Sequence, residues 1–327
     1  MGINALQVAW MSRLAQKGII GPGNSVVEFG PQDVFCSRQA VEIHGRKHCA
    51  LSKLSAVLDE MYDGQTRRDV VPSVFYSIFG VTRYRSVDLI DPRADWMRDC
   101  NIPFTLPEQF DIVTNFGTSE HVFNISAVFR SMHDIVRPGG VMLHVLPAFG
   151  DIDHGFYNIH PTVYFDLAAA NGYKIEDICY VDRWDIRNCR YEADLSASVD
   201  FDALPIRVEH MTDRPILQRM VTKQFVENYS HPDTVLYGPK YDSPIYDYCT
   251  VALRKIEDSA FRFPVQKIYG VNTPSPAAAN SPLILRTYSI SRRGKVYLKD
   301  MIKKYIFPIV PAPIRERLIS FIRTRRG

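Results

Sequence analysis

The sequence predicts an α/β protein with a doubly wound, mostly parallel sheet. Three observations predict it. First, Asp111 to Asn115 is a short apolar, β-prone run of the kind buried in a parallel sheet. Second, from His121 the period changes: Val122, Ile125, Val128, Met132 and Ile135 recur every three or four residues, one apolar helix face. Third, Arg137-Pro138-Gly139-Gly140 reads as a helix stop, after which Val141 to Leu146 resumes as a second apolar strand. Strand, turn, helix and strand make a right-handed crossover, and ligands in such sheets bind at the carboxyl ends of strands.

The other elements follow the same patterns. Ile3 to Gln16 reads as a short amphipathic helix ended by Gly21-Pro22-Gly23, placed to cap the sheet or cover a ligand. Ser25 to Phe29 is the first strand, followed by a Gly30-Pro31-Gln32 turn. Residues 34–80 exceed a simple crossover and carry two helical patterns, Leu51 to Met61 and Val74 to Phe79. Ser86 to Ile90 and Ala94 to Arg98 read as the second and third strands. Thr162 to Asn171 is helical, Tyr173 to Val181 a sixth strand, and Asp247 to Lys255 a final, antiparallel one. Residues 182–246 form a second insertion over the ligand-binding end. The expected organisation is a domain over 1–255, a linker over 256–285 that includes the stretch NTPSPAAANSP, and a C-terminal extension over 286–327.

Composition bounds the function. The 327 residues are 46% hydrophobic, enough for a large core, and no apolar run reaches the ~18 residues of a membrane span. The six cysteines, Cys36, Cys49, Cys100, Cys179, Cys189 and Cys249, include no CxxC pair and read as free thiols of a reducing compartment. His44, His48 and Cys49 lack a second half for a zinc site, so no metal is expected. The start, MGINALQVAWMSRL, lacks the pattern of a secretory signal, and Leu6 stands where a myristoylation motif needs Ser or Thr. These features read as cytoplasmic. Charge is uneven: residues 286–327 hold 12 Lys and Arg against two acids, a net of +10, so the remaining 27 basic and 34 acidic residues carry −7. Val296 to Phe307 and Ile314 to Ile322 are basic amphipathic segments suited to an anionic membrane surface, at the inner face of the membrane, or to an acidic partner, unless they dock on the domain. Sparse aromatic residues there argue against nucleic acid.

The segments FDIVTNFGTSEHVFN, RPGG and HGFYNIHPTVYFDLAAANGY carry a resemblance. Over roughly Ser25 to Lys255 the chain resembles the class I S-adenosylmethionine (SAM)-dependent methyltransferases, and more narrowly a bacterial group with GT-x-EHVFN and HGFY-x-x-x-P segments. The resemblance implies a Rossmann-like, seven-stranded methyltransferase sheet and SAM as cofactor. It places Glu28 and Gly30 against the methionine part of the cofactor, although the family's two further glycines are absent and Pro31, Asp33 and Phe35 follow here. Asp88, with Asp91 as the neighbouring alternative, would accept hydrogen bonds from the ribose hydroxyls, and Asp99 and Cys100 would flank the adenine. Asn115, Gly117 and Thr118 would complete the pocket. Glu120 is either a first-turn acid favoured by the helix dipole or a catalytic group.

The loop AFGDIDHGFYNIHP is rich in chemistry, with Asp151, Asp153, His154, Tyr157, Asn158 and His160. Methyl transfer to a hydroxyl needs an aligned acceptor and a base. His154 and His160 are the candidate bases, His160 having the rival role of starting the next helix. Tyr157, Asn158 and His121 are candidate substrate contacts, Tyr157 and Asn158 having the alternative of walling the cofactor site. The implied reaction methylates an oxygen or nitrogen of a small-molecule or glycan-type acceptor, such as a lipid-linked precursor. The rival reading is a non-catalytic scaffold of the same fold tethered to a membrane; a nicotinamide enzyme is disfavoured because EFGPQD is not GxGxxG.

Overall fold

The computed structural model describes residues 2–62, 72–150, 154–182, 207–210 and 246–266, all within the first of the chain's two compact units, Met1–Thr273. Strands β1 (Ser25–Phe29), β2 (Arg83–Asp88), β3 (Trp96–Met97), β4 (Phe110–Phe116), β5 (Val136–Gly150), β6 (Lys174–Asp182), β7 (Arg207–His210) and β8 (Tyr246–Arg254) form one sheet. Its order is β3-β2-β1-β4-β5-β8-β6-β7. The first five are mutually parallel, and β8 runs antiparallel between β5 and β6. This is the doubly wound, Rossmann-like arrangement expected. The short edge strand β7, antiparallel to β6, is an addition from the second insertion.

Both faces of the sheet are covered because its strands bury residues in alternation. Val26 joins the core on one side and Val27 the core on the other; Tyr248 and Cys249 divide in the same way. Helices α1 (Ala5–Gln16), α2 (Arg38–Gly45), α3 (Leu51–Tyr62) and α4 (Pro72–Ser77) pack on the first face. On the second lie α5 (Ile125–Ile135) and α6 (Thr162–Asn171).

The N-terminal helix is built to stay in place. The Asn4 side chain accepts from the N–H groups of Leu6 and Gln7, and the Gln7 side chain returns to the Asn4 N–H, a capping box. Trp10 is fully buried, lies 6.3 Å from Phe116 and donates its Nε1 to Asp177 Oδ2 at 2.9 Å. Lys17 reaches the other oxygen of Asp177 at 2.6 Å. Of the two roles expected for α1, the structure shows the cap on the sheet.

Several expectations need correction, and one helix is new. The segment after β4 does not become an α-helix at His121: it makes a 3₁₀ turn over Ser119–His121, and α5 begins at Ile125. The Arg137 to Gly140 stretch lies within β5 as an irregularity opposite Asp111, where the register with β4 shifts. Gly140 is required there, because a Cβ would come within 2.8 Å of the Asp111 carbonyl. Strand β2 starts at Arg83 and stops at Asp88, short of the expected Ile90. The helix α2, capped by Ser37, was not anticipated. The first part of the expected linker, 256–266, packs on the domain instead: Phe261 lies against the second core and the Ser259 carbonyl is 2.6 Å from His133 Nε2. Residues 267–285, the extension over 286–327, Asp151, Asp153 and most of the second insertion lie outside the described residues.

Candidate active site

The sheet reverses its winding between β1 and β4, and the carboxyl ends of those two strands, with β2 beside them, lie at this switch point, where open α/β sheets bind ligands. Glu28, the penultimate residue of β1, is wholly buried. Its Oε1 accepts from the Tyr76 hydroxyl at 2.8 Å; its Oε2 accepts from the Tyr84 hydroxyl at 2.7 Å and the Gln32 N–H at 3.0 Å. Burial pushes its carboxyl up to about 7, with these donors pulling the other way. Glu28 therefore shapes the loop that follows β1.

That loop turns at Gly30, whose φ of +76° favours glycine. Its N–H donates to the Val87 carbonyl at 2.7 Å. A Cβ at Gly30 would sit 2.8 Å from Thr118 Oγ1 and 3.6 Å from Asp88 Oδ2. Thr118 in turn donates to the Phe29 carbonyl at 2.5 Å, which joins the turn after β4 to the end of β1. Gly30, Asp88 and Thr118 are thus brought together as expected.

Further glycines are replaced by an explicit clamp. Gln32 Nε2 donates to the Gly30 carbonyl at 2.8 Å. Arg93 donates to the Pro31 carbonyl at 3.1 Å while pairing with Asp33 at 2.8 Å and Asp91 at 2.7 Å. The guanidinium holds the Asp91 carboxyl below its ordinary range. Sequence reading missed Arg93, Tyr76 and Tyr84. The Asp91-Pro92-Arg93 spacing was a usable signal for the first, but nothing marked the tyrosines as partners of Glu28.

Asp88 uses one oxygen locally: Oδ1 accepts from the N–H groups of Ile90 at 2.8 Å and Asp91 at 2.9 Å. Its Oδ2 is the oxygen beside Gly30. Asp99 is exposed and caps its own turn, accepting from the N–H and side-chain amide of Asn101 at 2.8 and 2.9 Å. Those bonds hold its carboxyl below the ordinary value. Cys100 is buried; that burial, then the charges of Asp88 and Asp99, push its thiol up to about 12, so it is a neutral wall and not a nucleophile. Leu89, Ile90 and Ile102 expose 55%, 79% and 63% of their surfaces nearby in sequence.

Asn115 is buried and occupied. Its amide donates to Ser119 Oγ at 2.9 Å and meets His144 Nδ1 at 3.3 Å, and its Oδ1 accepts from the Ser119 N–H at 3.1 Å. Gly117 has φ +76° and donates to the Val145 carbonyl. These two set the turn after β4.

The loop after β5 lies on that turn. The Glu120 carbonyl accepts from the N–H groups of Phe156 and Tyr157, and Gly155 approaches so closely that a Cβ would be 3.0 Å from it. The result sets the rings of His121 and His154 edge to face, 4.8 Å apart. Burial and then His154 lower the pKa of His121. Tyr157 donates its hydroxyl to the Phe123 carbonyl at 2.8 Å, and the rings of Phe123 and Phe156, 71% and 65% exposed, meet at 5.9 Å. Asn158 is exposed. His160 is placed differently. Its Nδ1 accepts from the Thr162 N–H at the start of α6, the rival role weighed for it, and it lines a groove with Thr162, Val163, Asp166, Pro264 and Gln266. The ring set against His154 is that of His121.

No protein-family model matches the sequence, and no curated protein is similar to it. Solved structures share the general architecture. An O-methyltransferase from the trans-AT PKS multienzyme of Brevibacillus brevis, in complex with S-adenosyl-L-homocysteine, is 11% identical, with 76% of this chain and 71% of that chain covered and a TM-score of 0.36. The phosphoethanolamine N-methyltransferase 2 of Haemonchus contortus is 12% identical over 76% of this chain and 52% of that one, with a TM-score of 0.34. The [4+2]-cyclase SpnF is also 12% identical over 76% and 80%, with the same score. At these scores the likeness carries no argument, and the function rests on the residues at the strand ends.

Proposed function

We propose that the chain is a SAM-dependent methyltransferase acting on an oxygen, or a nitrogen, of a small-molecule or glycan-type acceptor. The observation that carries the proposal is the arrangement at the ends of β1, β2 and β4. There Gly30 turns the chain at a φ of +76° and packs against Thr118 so closely that only glycine fits, and Asp88 presents an oxygen beside it. A dinucleotide would need a second and third glycine in this loop, where Gln32 and Phe35 stand instead. SAM, when bound, supplies a sulfonium methyl group to a nucleophile.

The residues present fit that cofactor. Gly30 gives its methionine part close access to backbone, and Asp88 Oδ2 accepts from ribose hydroxyls, Oδ1 being used in its own turn. Ile90, Ile102 and Cys100 offer apolar walls for adenine, with the Asp99 carboxylate at the rim. Asn115, Gly117 and Thr118 hold the floor by shaping the turn after β4, and Glu28 does so through Gln32. On the acceptor side, Phe123, Phe156, Tyr157, Asn158 and His121 form the contact surface. His154 takes the acceptor's proton, with His160 as the alternate base. Residues 286–327 supply peripheral contact with an anionic membrane through their net charge of +10.

The test is transfer of labelled methyl from SAM to a panel of hydroxyl and amine acceptors, run beside S-adenosylhomocysteine (SAH) binding. Product formation that His154→Ala reduces while SAH binding persists supports the roles given. SAH binding by the wild type with no transfer to any acceptor class would favour the scaffold reading.

A further inference from the structure

Glu120, His121 and His154 bring three metal-ligating side chains together from two loops. Their donor atoms, a carboxylate oxygen and one nitrogen from each imidazole, all lie within 4.8 Å of one another. Glu120 Oε1 and His121 Nε2 are 3.9 Å apart. Donors around a tetrahedral zinc ion, each about 2.1 Å from the metal, sit about 3.4 Å from one another. The set is therefore within a small side-chain adjustment of ligation. Glu120 is fully buried, and both histidines are exposed.

The backbone supports the grouping independently of the side chains. The Glu120 carbonyl receives two N–H groups from the loop after β5, and Gly155 permits the close approach. His154 is the residue immediately before that glycine. Two imidazoles and one carboxylate suit zinc and other divalent transition ions, and three protein ligands leave a position open. The exposed, ring-paired Phe123 and Phe156 each follow one of the two histidines by two residues.

We propose that Glu120, His121 and His154 form a binding site for a divalent transition-metal cation of the zinc class, whose open position takes an oxygen of the acceptor. The second half of that statement rests on the methyl-transfer reading; the cation site itself does not. It also narrows the acceptor to one with a hydroxyl or carbonyl oxygen able to ligate a metal, and with the ion bound His154 serves as a ligand in place of the base, the proton of a ligated hydroxyl passing to solvent.

The experiment is calorimetric titration of the tag-free full chain with Zn²⁺, alongside Co²⁺ as a chromophoric probe. The wild type is expected to bind one ion at micromolar or tighter affinity. His121→Ala and His154→Ala, both at exposed positions, should each weaken it by at least about tenfold. His48→Ala serves as the control for the separate His44, His48 and Cys49 cluster and should bind as wild type. SAH titration of each variant reports folding and the cofactor site. Absence of Zn²⁺ binding by the wild type, or binding that neither His121→Ala nor His154→Ala weakens, overturns the site and leaves the methyl-transfer reading standing if SAH still binds. Zn²⁺ binding lost in both variants, with no SAH binding by the wild type, keeps the cation site and overturns its role toward a methyl acceptor.

Discussion

Glu28 makes the stability of this fold depend on pH in an unusual direction. Its carboxyl has an ordinary value of 4.5 and is raised to about 7 by burial. Between those values the folded chain holds a proton that the unfolded chain has released, so stability falls as pH rises through that window. It is greatest, on this account, below 4.5 and lost above 7. At about 1.36 kcal/mol per pKa unit, the difference across the window is ~3 kcal/mol. A domain of this size shifts its melting temperature by roughly 2–4 °C per kcal/mol, so the contribution is about 6–12 °C. Glu28→Gln keeps the volume and one acceptor oxygen but cannot titrate. Melting curves of both proteins from pH 4.5 to 8 isolate the effect: wild type minus variant should fall steadily as pH rises. A difference that stays constant across the range would refute the assignment of a raised, proton-holding carboxyl to this position.

Further outcomes follow from other contacts. Gly30→Ala introduces a methyl group 2.8 Å from Thr118 Oγ1 at a φ of +76°, and should remove SAH binding in a calorimetric titration while the far-UV spectrum is retained. Arg93→Ala releases the loop after β1, so SAH affinity should drop by about tenfold; its ion pairs are partly exposed, so chemical denaturation should show a change under about 1 kcal/mol. Trp10→Ala empties a fully buried site and strands Asp177 without its indole donor, and a loss of about 3–5 kcal/mol is expected in urea melts.

The parallel core was legible because β1, β4 and β5 are apolar runs with period changes beside them, and α6 was read to its last residue. Boundaries failed where backbone geometry and not hydrophobicity decides them. The Arg137 to Gly140 stretch reads as a loop, yet close packing against Asp111 keeps it in the sheet. α2 is short, with only Ala40, Val41 and His44 facing inward beside its final glycine, too few to register as a period. At the site, Gly30 and Asp88 were placed by the resemblance, and Asp88 proves to end its strand where the sequence pattern ran on to Ile90. The pairing of His121 with His154 was not, since the two are 33 residues apart and meet only because the second loop hydrogen-bonds to the Glu120 carbonyl. For the same reason Glu28 could be placed at the end of β1 from sequence, while its capture by Tyr76 and Tyr84 could not.

The central claim is that the site beside Gly30 and Asp88 binds the adenosyl cofactor, and SAH titration of the wild type and Asp88→Asn tests it directly. Asn retains the Oδ1 acceptor that caps Ile90 and Asp91, so the turn survives while the charged Oδ2 is lost. Micromolar binding by the wild type, weakened at least tenfold in the variant or about 1.4 kcal/mol, is the predicted result. No SAH binding by the wild type would contradict the account.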